Sequence, residues 1–169
     1  MKKSVIKYGI RSVLTLIILF IISLTFGKNL DYGLQEVIGY VSIVLALVFV
    51  FFGIKHYRDH ENNGSVSFGK AVLIGIYITL FAALAFGAID IIYRLINPEF
   101  TTEYYDHAVE ELNNSLSGVE LEAKLAEMES QKELFMNPLF SFLLMAFTVF
   151  LIGFIISLIS SLILQRKPS

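Results

Sequence analysis

Between Ala71 and Ile89 the chain carries no charged residue, and the run sits inside a longer stretch, Ser67 to Leu95, that reads SFGKAVLIGIYITLFAALAFGAIDIIYRL. An uncharged apolar run of this length is enough to cross a bilayer as an α-helix, which needs about 20 residues. Small or nearly small residues recur along it at every fourth position: Ala71, Gly75, Thr79, Ala83 and Gly87. A helix builds a shallow groove from such spacing, and a second backbone can approach closely along it. The whole chain agrees with that reading. Of its 169 residues 56% are hydrophobic, and mean hydropathy is +0.70. Soluble domains average roughly 45–50% apolar even with Gly counted in, so this one is too apolar to be soluble throughout.

Three further segments have the same character. Met1 to Arg11 carries Lys2, Lys3, Lys7 and Arg11, and the apolar run Ser12 to Phe26 follows. A basic start and an apolar run also describe a signal peptide. No A-x-A-like cleavage site follows, and Thr25-Phe26-Gly27 is a poor substitute, so a retained first helix near 5–26 is the better reading. Lys7 and Arg11 then snorkel towards the headgroups. Gly27 to Glu36 reads as a short polar loop, and Val37 to Ile54 as the second helix, antiparallel to the first. Ser67 is the N-cap expected for the third helix, near 70–95, and Asn63-Gly64 before it signals a turn. Asn97-Pro98 closes the third helix or starts the next one, since Pro is tolerated at a first helical position. Asn137-Pro138 opens the last helix, near 139–164.

The region from 98 to 136 differs in kind. Ten acidic residues (Glu99, Glu103, Asp106, Glu110, Glu111, Glu120, Glu122, Glu127, Glu129 and Glu133) face only Lys124 and Lys132. Two amphipathic patterns run through it: Tyr105, Val109, Leu112, Leu116, and then Leu121, Leu125, Met128, Phe135. Ser117-Gly118-Val119-Glu120 between them has the form of a capping box. The expectation is a helical hairpin outside the bilayer. The fold class is therefore all-α: a single four-helix transmembrane domain over 1–169, with the acidic hairpin inserted between helices 3 and 4.

Charge fixes the expected threading. Four crossings put both termini on one side, together with the loop holding Lys55, Arg58 and Lys70. Nine of the 13 Lys and Arg residues then lie on that side. Lys28, Lys124, Lys132 and Arg94 lie on the other. Basic residues stay cytoplasmic, so both termini are expected inside a cell (inner or cytoplasmic) membrane and 98–136 outside it. Helix 4 carries its own small row, Gly153, Ser157 and Ser161. Antiparallel packing would set Ser161 against Ala71, Ser157 against Gly75 and Gly153 against Thr79.

Few residues offer chemistry. No Cys is present, which excludes disulfides, thiol catalysis and S-acylation. His56 and His60 lie at i, i+4 beside Asp59 and Glu61, a weak candidate pair for a metal. Spacing supplies no third ligand, and a solvated charged loop is the plainer reading. Asp90 and Arg94 are also at i, i+4. Asp90 is 20 residues from Lys70, about 30 Å along a helix, so an interfacial ion pair fits better than a proton relay. No span has a mid-helix charge or Pro, features common in coupled transporters. Gly64 to Gly69 (GSVSFG) lacks the Lys-Ser/Thr ending of a phosphate-binding loop. No catalytic residue, cofactor site or nucleic-acid patch is legible.

Several pieces occur in a familiar order: Gly53-Ile54-Lys55-His56-Tyr57-Arg58-Asp59, Asn63-Gly64, Ser67-Phe68-Gly69-Lys70-Ala71, Glu127-Met128-Glu129, Asn137-Pro138-Leu139, and Leu158-Ile159-Ser160-Ser161-Leu162-Ile163-Leu164. Together they make the chain resemble, over nearly its whole length, the bacterial membrane protein family catalogued as domain of unknown function 4199 (DUF4199). The resemblance implies four helices in a bacterial cytoplasmic membrane. It implies no activity and carries over no functional residue. Its GIK-HYRD and SFGKA pieces fall on the loop between helices 2 and 3, which makes that loop the first place to look for a shared role.

The leading expectation is a non-enzymatic scaffold or accessory subunit. Its partners would be the lipid bilayer and another membrane or periplasmic protein, or a second copy of itself, with no nucleic acid. The rival from another class is a small channel or transporter protomer acting as an oligomer, its path lined by Thr15, Ser23, Ser42, Thr79, Ser141 and Thr148. A membrane enzyme using the His56–Asp59–His60 loop is third.

Overall fold

The computed structural model describes residues 1–27 and 30–167. Six α-helices account for most of them: α1 Lys2–Phe26, α2 Tyr32–His56, α3 Phe68–Ile96, α4 Phe100–Ser115, α5 Gly118–Met136 and α6 Pro138–Leu164. A π-helical turn, Tyr57–Glu61, prolongs α2. No strand occurs among the described residues; Val66 and Arg166 form an isolated antiparallel bridge. Four helices are long and apolar enough to cross a membrane: α1, α2 with its π turn, α3 and α6.

The helix ends correct the sequence reading in two places and decide between its alternatives in a third. The loop expected over Gly27 to Glu36 is shorter, because α2 already begins at Tyr32. Asp31 caps it: its side chain accepts from the Leu34 N–H at 2.9 Å, so a polar turn joins the helix ahead of the apolar run. Lys28, counted among the basic residues, lies outside the described residues. At Ser117 the cap position is right but the capping box does not form, since the Ser117 side chain makes no cap bond. Gly118 starts α5 at φ +63°, a left-handed entry that suits glycine. Between α3 and α4, Asn97-Pro98 closes α3, and α4 starts two residues beyond the Pro, with Glu99 at its N-cap. Asn137 does cap α6: its Oδ1 accepts from Leu139 at 2.9 Å and Phe140 at 3.3 Å, with Pro138 at the first helical position.

The chain divides into two compact units, Met1–Phe86 with Met145–Ser169, and Gly87–Leu144. In the first, α3 is the central helix, with 39% of its most apolar window buried against 17% in α1 and in α6. It meets each of the other three where one backbone is bare. Phe81 lies over Gly9 of α1, and Ile78 over Gly53 of α2. Against α6 the exchange runs both ways: Ser157 covers Gly75, and Thr79 covers Gly153. A Cβ added at Gly75 would stand 2.5 Å from the Ser157 Oγ. Ala71 and Ser161, next along the two rows, are both fully buried.

The interior of this unit is unusually polar for a protein core, with Ser4, Ser12, Thr79, Ser157, Ser160 and Ser161 all buried. Ser12 donates to the Ala46 carbonyl of α2 at 2.8 Å, and Ser157 to its own helix at the Gly153 carbonyl, 2.6 Å away. The outside is apolar: Leu14, Ile18, Val41, Leu45, Ile155 and Leu162 are all exposed. A water-soluble bundle would reverse that arrangement.

In the second unit α4 and α5 pack along the two stripes read from the sequence. Tyr105, Val109, Leu112 and Leu116 are half-buried, as are Leu121, Leu125 and Met128. Phe135 is more exposed and packs edge-on against Phe140. Neither helix contains a fully buried residue. The Tyr105 hydroxyl donates to Glu129 at 2.7 Å, and Lys132 sits over the Tyr105 ring.

Candidate functional site

The loop that carries the GIK-HYRD and SFGKA pieces is the most elaborately built segment of the first unit. Its path requires a reversal between α2 and α3. The π turn widens the helix end, and Asn63 (φ 50°) and Gly64 (φ 77°) then take two successive left-handed positions, which Asn tolerates and Gly favours. Hydrogen bonds lock the turn. Gly64 N–H donates to the Arg58 carbonyl at 2.8 Å, Asn62 Nδ2 to the Ser65 carbonyl at 2.7 Å, and the Tyr57 hydroxyl to Asn62 Oδ1 at 3.2 Å. The Ser67 carbonyl accepts from Ala71 at 2.9 Å, which makes Ser67 the residue that α3 starts from.

Two groups of contacts hang on this loop. One ties it to α1. The Met1 amino group pairs with Glu61, and Ser4 Oγ donates to Glu61 Oε1 at 2.6 Å. Ser4 has a single proton, so its 2.9 Å contact with His56 Nδ1 requires that nitrogen to be the donor. In a neutral ring Nε2 is then the acceptor, and Lys7 Nζ reaches it at 3.4 Å. His60 stacks on His56 with ring centroids 4.8 Å apart. Both nitrogens of His56 are thus engaged, and stacked rings do not converge on one point. Among the described residues no group of three His, Cys, Asp or Glu is placed to hold a metal. Lys7 and Arg11 lie over the Tyr8 ring, at 5.5 and 5.1 Å.

The other group ties the loop to the end of α6. Val66 and Arg166 exchange two main-chain bonds, of 2.9 and 2.8 Å. Arg58 forks onto Asp59 (2.6 and 3.2 Å) and also caps the Leu164 carbonyl at 3.3 Å. Between the loop, the first turn of α3 and the residues after α6 lies an open cleft of about 600 Å³. Its polar lining includes Ser65, Ser67, Lys70, Gln165, Arg166 and Lys167, and its apolar lining Tyr57, Val66 and Phe68. This cleft is the candidate site.

The second unit holds a separate polar cluster. Arg94 Nε donates to Asp90 Oδ2 at 3.0 Å, so the i, i+4 pair is formed. Ser141 of α6 donates to the same oxygen at 2.6 Å, and Arg94 Nη1 reaches Thr101 of α4 at 2.7 Å. The pair therefore joins three helices rather than one. Neither the roles of Ser141 and Thr101 nor the Val66–Arg166 pairing are legible from local sequence, because all of these contacts are made across helix ends.

A family model described as a protein of unknown function (DUF4199) matches residues 7–166. The chain belongs to this family. Comparison with curated proteins and with solved structures returns no match. The family match covers α2, α3 and α6 in full, α1 from Lys7 on and the whole cleft except Lys167, so the loop pieces, α3 and α6 are parts of one family domain. The family carries no assigned activity, and the site must be read from its own chemistry.

Proposed function

We propose that this chain is a multi-pass scaffold or accessory subunit of a bacterial cytoplasmic membrane, without catalysis of its own. Both termini and the 55–69 loop face the cytoplasm, and the 98–136 hairpin faces outward. The apolar exterior and polar interior of the four long helices support insertion in lipid. The excess of Lys and Arg at the termini and the 55–69 loop supports the threading.

The observation that carries the scaffold reading is the α4–α5 arm. A connector between α3 and α6 needs only a few residues, and this arm has two full helices with no fully buried residue. Its apolar stripes serve the contact between α4 and α5, which leaves ten carboxylates and the exposed Val119 at its tip facing outward. Such an arm suits a membrane or periplasmic protein with a basic surface. The channel reading gains less: Ser42 donates to its own helix at Ile38, and Ser141 to Asp90.

In-cell crosslinking of the full chain tests this, compared with a version whose residues 99–136 are replaced by a short flexible linker. A partner captured only by the full chain is the expected result. Recovery of nothing but the chain itself by both forms would contradict the scaffold reading.

A further inference from the structure

We propose that the cleft between the 62–67 loop, the start of α3 and the end of α6 binds the phosphate of an anionic phospholipid headgroup. The inference rests on the membrane reading and adds a ligand to it.

Charge is the first argument. Lys70, Arg166 and Lys167 line the cleft, and among the described residues no carboxylate does. Among the described residues none of these three side chains has an ion-pair partner. The neighbouring Arg58 shows the contrast, since Asp59 neutralises it through two bonds. Three cations lining one hollow without an ion-pair partner among the described residues repel one another, an arrangement that an anion relieves. Backbone supplies the second argument. α3 begins in the cleft at Phe68, so the N–H groups of its first turn are left without partners inside the helix and favour negative charge. Preorganisation is the third. The two main-chain bonds between Val66 and Arg166 hold the walls together, so the Arg166 backbone and the α3 terminus are fixed before any ligand arrives.

Size and position select the lipid over free phosphate. At about 600 Å³ the cleft exceeds what a lone phosphate fills and leaves room for a glycerol backbone against Tyr57, Val66 and Phe68. Lys70 lies in the first turn of one membrane-length helix, and Arg166 lies just past the last turn of another. Headgroups sit at that level when both helices span.

Native mass spectrometry of the full chain, released from detergent, reads the binding directly. The probes are phosphatidylglycerol, phosphatidylcholine and inorganic phosphate. The variants are Lys70→Gln/Arg166→Gln/Lys167→Gln and, as an equal loss of charge outside the cleft, Lys2→Gln/Lys3→Gln/Lys55→Gln. We expect phosphatidylglycerol to be retained about tenfold better than phosphatidylcholine, and the cleft variant, but not the control, to lose that preference. Lys70→Glu guards against a folding artefact. An acidic residue in the first turn of a helix favours the helix, so this variant keeps the fold while abolishing the preference. Equal loss in both triple variants, equal retention of the two lipids, or saturation by inorganic phosphate without lipid retention would each overturn the proposal. Flotation with liposomes separates its failure from that of the membrane reading. If the chain floats but shows no lipid preference, only the cleft assignment falls. If it does not float, the membrane reading falls and the lipid assignment with it.

Discussion

The bundle of α1, α2, α3 and α6 and the hairpin of α4 and α5 are both helical, but they are held together by opposite means. In the bundle, contact depends on what is missing: bare backbone at Gly9, Gly53, Gly75 and Gly153 lets a neighbouring side chain seat against the helix. The hairpin depends on what is present: half-buried apolar stripes, one tyrosine–carboxylate bond and a lysine over a ring. Under the proposed insertion, apolar burial does not drive the bundle helices together in lipid, so close approach and hydroxyls would do it. For a hairpin in water, as proposed, the apolar stripe suffices, and the remaining faces are left to carry charge. The same contrast makes the two regions respond to different perturbations.

The largest effect is expected from filling the bare backbone. Gly153→Leu drives a side chain into Thr79, and overpacking of this kind costs on the order of 3 kcal/mol. Gly39→Leu is the control, since nothing lies near its Cβ position. Thermal unfolding in detergent should fall sharply for the first and stay near the native value for the second. Equal melting of the two would break the contrast.

Asp90→Ala comes next. It removes the acceptor shared by Arg94 and Ser141 and leaves a partly buried guanidinium bonded to Thr101 without its carboxylate, a loss of about 2 kcal/mol. Hydrogen exchange should rise at the start of α4 and the start of α6, with the loop around Asn62 unchanged. Uniform exchange across the chain would show that the two units do not respond separately.

Leu125→Ala trims a half-buried stripe position and should cost roughly 1 kcal/mol. Faster exchange is expected, confined to α4 and α5. Loss of protection in α3 would contradict it.

The smallest effect concerns pH. The Tyr105 hydroxyl holds the Glu129 carboxyl below the usual carboxylate range, and the carboxylate in turn holds the phenol above its own. A depressed carboxyl contributes stability above its unfolded value and loses it as pH falls through its folded value. The native chain and Tyr105→Phe should therefore differ slightly in α5 exchange at neutral pH and converge in acid. A difference that grows in acid would reverse the assigned sign.

Much of this architecture is legible in the sequence, for reasons that differ by element. Uncharged runs mark the spans because lipid excludes charge. Asn137-Pro138 marks the start of α6 because cap chemistry is local. The hairpin stripes appear because helical periodicity survives in half-buried positions. Local signals fail where competition is local too. Asp31 starts α2 a full turn before the apolar run, and Ser117 holds a cap position without making the bond. The cleft was legible only as a basic loop. Its walls come from main-chain pairing of Val66 with Arg166 and from the Arg58 side chain on the Leu164 carbonyl, contacts across about a hundred residues to backbone atoms that no local sequence pattern marks.

Threading is the claim on which the rest depends, and the absence of Cys makes it simple to test. Single cysteines placed as Ser65→Cys, in the loop, and Ser130→Cys, in α5, can be probed in intact cells with a membrane-impermeant maleimide. Ser130→Cys should be labelled at once and Ser65→Cys only after permeabilisation. Labelling of both from the same side would contradict the threading.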